Sequence, residues 1–118
     1  MKERLVHFSL TIVDPDDAAG LSVLEAYFTA LVKMTIVAVS VAPSIDEGSG
    51  TLDIDDDGVN VISGIVAATQ NTPGTWISTR LGGTETPVVI AQGSLVSFDF
   101  NSYTIAVSAI VDVWYFAN

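Results

Sequence analysis

The residues with the most chemical promise lie between Asp53 and Gly58, where Asp53-Ile54-Asp55-Asp56-Asp57-Gly58 spells D-x-D-x-D-G. A hard cation such as calcium takes several oxygen ligands, and alternate aspartates around a glycine-permitted turn can supply them. Asp53, Asp55 and Asp57 are therefore candidate metal ligands. The rest of a calcium loop is missing. Its twelfth position, which calls for a bidentate Glu, is Gly64, and Val59–Ile62 beyond the turn is strand-like rather than helical. An EF-hand is excluded, and a looser calcium site is the weaker alternative to a plain turn. Asp-Gly is a strong hairpin signal, and solvated turn carboxylates tolerate one another through screening. No cofactor is expected, with calcium as the minor reading.

Other catalytic constellations are thinner. His7 is the only histidine, and it lies within a strand-like run with no G-x-S-x-G nucleophile motif in the chain. A surface or packing role fits it better than a Ser–His–Asp triad. Zinc needs more His, Cys or carboxylate ligands than one histidine can anchor. Asp99 and Asp112 stand on strands that could be neighbours, but a working carboxylate pair also needs a cleft that drives the two pKa values apart. Gly82-Gly83 lacks the lysine and helix of a phosphate loop. Trp76 with Arg80, and Trp114 with Phe116, are pairs at strand spacing. Trp and Arg are common interface anchors, so these four are interface candidates, with core or plain surface packing as the alternative.

The elements that position these residues are strands. In Leu5–Val13, Val6, Phe8, Leu10 and Ile12 share one face and His7, Ser9 and Thr11 the other. Asp14-Pro15-Asp16-Asp17 ends that run. Residues 21–32 are ambiguous: Leu21, Leu24, Phe28 and Leu31 have helical spacing, yet Tyr27-Phe28-Thr29 are strand formers. A strand from Glu25 to Leu31 is favoured over a short helix. Met34–Ala42 is a strand, apolar on both faces, with Val37, Val39 and Val41 together. Thr51–Ile54 and Val59–Ala67 flank the acidic turn. Thr75–Leu81, Pro87–Ala91 and Ser94–Phe100 follow. The closing strand, Thr104–Phe116, has one continuous apolar face that suits a central place in a sheet. About eight short strands separated by Gly, Pro, Asn and Asp turns predict an all-β antiparallel β-sandwich, jelly-roll-like or immunoglobulin-like. The lack of a Cys–Trp–Cys framework removes the main immunoglobulin marker.

Length and composition bound the function. The chain has 118 residues, enough for one domain spanning 1–118, with residues 1–20 as a potential N-terminal arm. Apolar residues are 49% and charged residues 15%, light on charge for an isolated monomer. Part of the apolar surface is therefore expected to be covered by other chains, against the alternative of a monomer with a Ser/Thr-rich surface. A net charge of −10, with four basic residues, argues against binding to nucleic acid or anionic membranes. There is no cysteine, which excludes disulfides and thiol chemistry. The run Leu21–Val41 is broken by Glu25, Thr29, Lys33 and Thr35, so it is not read as a membrane span. Leu5–Val13 is not read as a secretory signal.

From Ala42 onward the sequence resembles the small β-sandwich virion proteins of tailed bacteriophages. The resemblance runs through APSIDEGSGTLDIDDDGVNVISGIVAAT, TPGTWISTRLGG, PVVIAQGSLVSFDF and VDVWYF, and is strongest at Leu52–Gly58 and Gly74–Gly83. It implies a structural protein without enzymatic activity or catalytic residues. The implied role is a head decoration or cement protein, commonly a homotrimer. It would bind the major capsid protein on the outer capsid surface after assembly in the host cytoplasm. The alternative it leaves is a carbohydrate- or host-surface-binding module of a head fibre or tail.

Overall fold

Alternation of apolar and polar residues decides which side of each strand is buried, and order along the chain decides which strands meet. A computed structural model describes residues 3–13, 23–46, 50–66, 70, 72–101 and 108–117. Nine strands run through them: β1 (Arg4–Val13), β2 (Val23–Thr29), β3 (Met34–Pro43), β4 (Thr51–Asp56), β5 (Val59–Val66), β6 (Gly74–Ile77), β7 (Val88–Ile90), β8 (Leu95–Asn101) and β9 (Ser108–Ala117). The first sheet has the order β1-β9-β3-β6, with β7 beside β6 on the same edge of β3. The second has the order β2-β8-β4-β5.

These orders are those of one long antiparallel ribbon folded over on itself. Its tip is the β4–β5 hairpin. Moving back from the tip, β3 pairs with β6 and β7, β2 with β8, and β1 with β9. Wrapping the ribbon adds the pairings β3 with β9 and β4 with β8. With β6 and β7 sharing one position, this is an eight-position jelly-roll sandwich. The acidic turn is thus the midpoint of the ribbon. Asp57 (φ 49°) and Gly58 (φ 83°) supply the two positive φ values of a tight hairpin whose twist suits both strands.

The core lies between the sheets. Ile36, Val39 and Val41 of β3 and Val111 and Val113 of β9 face Leu52 and Ile54 of β4 and Phe98 and Phe100 of β8, all essentially without exposure. Burying each such side chain contributes roughly 1.5–3 kcal/mol before the entropy of ordering it. On the β1/β2 side, Phe28 bridges the layers, edge-on to Phe8 at 5.3 Å and tilted against Phe98 at 6.1 Å.

Several local features depart from the strand pattern expected of the sequence. Strand β3 carries a bulge between Ile36 and Ala38 in its pairing with β9. The bulge shifts the phase, so Ile36 joins Val39 and Val41 in the core rather than facing away from them. The run at Thr75–Leu81 is not one strand: β6 stops at Ile77, and Thr79–Leu81 forms a 3-10 turn. Ser78 caps that turn by accepting from the Arg80 N–H, and Gly82 closes it with a left-handed conformation. Arg4–Val13 is a full strand of the first sheet. Of the ambiguous segment, Val23–Thr29 is a strand. Residues 14–22 and 102–107, with the expected turn at Asp14–Asp17 and the start of the last strand, lie outside the described residues.

Candidate functional site

The outer face of the first sheet is built by register. Arg4 to Val13 pairs with Ala117 to Ser108 without interruption. Strand β9 pairs in turn with β3, and β3 with β6. One cross-strand row therefore reads His7, Trp114, Ala38, Ile77, and the next reads Ser9, Asp112, Ser40, Thr75. Their neighbours in sequence, such as Val39, Trp76, Val111 and Val113, are buried, so both rows face outward.

Side-chain size then carves the face. Trp114 on β9 stands beside the small Ala38 and Ser40 on β3, and Ile77 and Leu81 rise beyond them. The result is an open groove of about 540 Å³ lined chiefly by Leu5, Ala38, Ser40, Ile77, Leu81 and Trp114. Leu5, Ile77 and Leu81 are 51%, 39% and 41% exposed. Exposed apolar groups gathered at one place, on a chain of net charge −10, form a surface suited to contact with another molecule.

No protein-family model and no curated protein matches the chain.

Trp114 is held in place rather than loose. The His7 ring stacks on it at 4.7 Å between centroids, with 23° between planes. His7 is fixed in turn by its Nε2, which donates to Asp112 Oδ1 at 2.9 Å. The Ser9 hydroxyl donates to the same carboxylate oxygen. A serine, the histidine and an aspartate have thus come together, but in an order that does not activate the serine. In a triad the histidine stands between carboxylate and nucleophile. Here Ser9 and His7 both address Asp112, and their common effect is to orient the indole.

The end of the face near Phe116 is fixed by charge. Arg80, on the 3-10 turn, lies over the Phe116 ring at 4.2 Å and donates to Glu3 Oε2 at 2.8 Å. That hydrogen bond holds the Glu3 carboxyl below the usual carboxylate range. The charges of Arg80 and Lys33 pull the same way, and desolvation opposes them.

Of the four interface candidates, Trp114, Arg80 and Phe116 meet on this one face. Trp76 does not. It is 9% exposed, points inward from β6 and belongs to the core, because alternation places it opposite the outward Thr75 and Ile77. Arg80 shares no strand face with it, since β6 ends before Arg80. Asp99 and Asp112 are not neighbours. Asp99 is on β8 of the second sheet and Asp112 on β9 of the first, so no carboxylate pair forms.

The aspartates of the acidic hairpin act as fasteners with separate partners. Asp53 accepts from the Gly64 N–H at 2.7 Å and from Asn101 Nδ2 at 3.2 Å. Asp55 accepts from Asn60 Nδ2 at 3.1 Å. Asp57 accepts from the Leu95 N–H at 2.7 Å, while its own N–H donates to the Leu95 carbonyl at 2.8 Å. Asp53, Asp55 and Asp57 do not converge, and among the described residues no group of three such ligands could hold a metal ion.

Ser9 and the His7–Trp114 stack were not singled out by residue type. The signal for them was present in pattern: His7 and Ser9 alternate on one face of the first strand, as Asp112 and Trp114 do on the last. Pairing of the first strand with the last, the rule of a jelly-roll ribbon, brings the two sets together.

Proposed function

We propose that this chain is a structural protein of a bacteriophage virion, a head decoration or cement protein without enzymatic activity. It docks on the outer capsid lattice through the outer face of its first sheet and stabilises the shell by bridging capsid subunits. The observation that carries this reading is the exposed apolar groove beside the immobilised Trp114. A rigid aromatic wall next to small residues is the kind of feature that anchors an interface, because the ring is already ordered before contact. The resemblance of the sequence from Ala42 onward to phage virion β-sandwich proteins supplies the identity of the partner. Repetition on a symmetric lattice lets a modest contact hold firmly through avidity. The test is binding of the purified chain to phage heads that lack it. Saturable binding that falls when Trp114 is replaced supports the reading, and failure to bind any head particle defeats it.

A second reading has its own support. Ser40 and Thr75 line the same groove as Trp114, so hydroxyls stand near an aromatic wall. That combination suits a sugar ring, as in a carbohydrate- or host-surface-binding module of a head fibre or tail. Specific retention on a glycan array, lost in Trp114→Ala, would favour it over the decoration role.

A further inference from the structure

Beside the groove stands a group whose charge changes with pH. The His7 ring stacks on Trp114 at 4.7 Å, and its Nε2 lies 2.9 Å from Asp112 Oδ1. Asp112 shares its cross-strand row with Ser40 and Thr75, which line the groove. The side chains of His7 and Asp112 are 44% and 26% exposed, so both still meet water in the free chain. Histidine gains and loses its charge between about pH 5 and 8. A carboxylate keeps its charge across that range.

Few other charges reach the pair. On β1 the outward neighbours of His7 are Leu5 and Ser9, and alternation turns Arg4 to the other side. On β9 they are Asp112 and Trp114, and on β3, one strand further, Ala38 and Ser40. Of these only Asp112 is charged. Toward Phe116, Arg80 and Glu3 hydrogen-bond to each other, and Lys33 acts on Glu3. The state of His7 therefore decides the charge beside Trp114. Neutral His7 leaves the negative charge of Asp112 standing, and protonated His7 cancels it.

We propose, resting on the docking role of this face, that docking takes up a proton on His7, so that contact with the partner tightens as the pH falls. A partner seated on Trp114 strips water from the two groups beside it. For a lone carboxylate that loss is costly, whereas a hydrogen-bonded carboxylate–imidazolium pair carries no net charge into the contact. Protonation also makes the His7–Asp112 hydrogen bond charge-assisted and sets a cation against the face of the indole. Ser9 donates to the same carboxylate oxygen, so Asp112 enters the contact with two donors already in place. Because docking favours the protonated form, affinity is full at the acid end of the histidine range and falls as the pH rises through it.

The test is binding of the purified chain to phage heads that lack it, measured between about pH 5 and 8. The parent should bind about tenfold more weakly at the upper end than at the lower. Calorimetry of the parent in buffers of different ionisation enthalpy should show net proton uptake on binding. His7→Gln keeps a planar side chain with a donor but takes no proton, so it should lose the slope. Asp112→Asn gives the opposite sign. Its amide oxygen still accepts from Ser9 and His7, but a protonated His7 then enters the contact as a lone cation. Binding of this variant should weaken in acid. A merely structural role for the pair would lower affinity by the same factor at every pH. Titration of the heads is common to all three chains and cancels in their ratios. Circular dichroism and melting of each variant across the range separate loss of docking from loss of fold. Flat binding by the parent, a slope retained in His7→Gln, or the parent's slope in Asp112→Asn overturns the proton linkage and leaves docking standing. Absence of binding at every pH overturns both.

Discussion

Arg80 spreads its guanidinium over the ring of Phe116 and donates from the same group to Glu3, so one side chain ties the turn after β6 to the end of β9 and the start of β1. The tie is sensitive to pH, and its sign follows from Glu3. The folded pKa of Glu3 lies below its unfolded value. Its stabilising contribution is therefore present above the ordinary carboxylate range and is lost as pH falls through the lowered folded value. Glu3→Gln should flatten the acid side of a melting-temperature profile and leave the neutral and basic side nearly unchanged. Both groups are well exposed, so added salt should shrink the difference. A variant whose profile overlays the parent's in acid would show that the pair contributes nothing.

Gly83 has no room for a side chain. A Cβ built there would lie 2.1 Å from the Ile77 carbonyl oxygen and 2.5 Å from its carbon, both of them backbone atoms. Gly83→Ala should lose about 1–3 kcal/mol in urea unfolding. Gly58→Val should also destabilise, for a different reason. Space is open there, but a β-branched residue is strained at a φ of 83°.

The strands and their buried faces were legible in the sequence because alternation reports them directly. Val6, Phe8, Leu10 and Ile12 fall on the inner side of β1, and Val96, Phe98 and Phe100 on the inner side of β8. The hairpin at Asp57-Gly58 was legible for a local reason, since that pair tolerates positive φ. What was not legible depends on register or on a bulge. The bulge in β3 places Ile36 and Val39 in one core, which strict alternation denies. The 3-10 turn at Thr79–Leu81 hides within TWISTRL, a run that alternates like a strand. Trp76 reads as a potential anchor until the sheet shows which of its sides is covered. The His7–Trp114–Asp112 cluster requires pairing of residues more than a hundred positions apart, which a single chain's pattern does not announce.

The acidic hairpin offers a contrast between aspartates. Asp57 holds the ribbon tip to β8 through its bond to the Leu95 N–H, whereas among the described residues Asp55 bonds to the exposed Asn60 amide. Asp57→Ala should cost about 1 kcal/mol, since it leaves a backbone donor without this acceptor and an alanine at positive φ. Asp55→Ala should stay within about 0.5 kcal/mol of the parent. Calcium or EDTA should move the melting temperature of neither, because the carboxylates point to separate partners. A calcium-dependent rise in the parent, absent in Asp55→Ala, would restore the metal reading.

Trp114 separates docking from folding. It lies on the outer face, braced by His7, while the core is formed by other residues. Trp114→Ala should lower stability by only about 1 kcal/mol through loss of the ring stack. Its effect on binding to head particles should be larger, about 30-fold, as for a central interface aromatic. Equal loss of binding and stability would indicate a packing role instead.

Imaging of a purified phage particle that carries this chain tests the docking role most directly. We expect a jelly-roll density on the outside of the head, with the face of Trp114, Ala38 and Ile77 against the shell and the Asp53–Asp55 face turned away. Absence of the chain from the particle, or a density seated with its acidic hairpin against the shell and the Trp114 groove open to solvent, would contradict it.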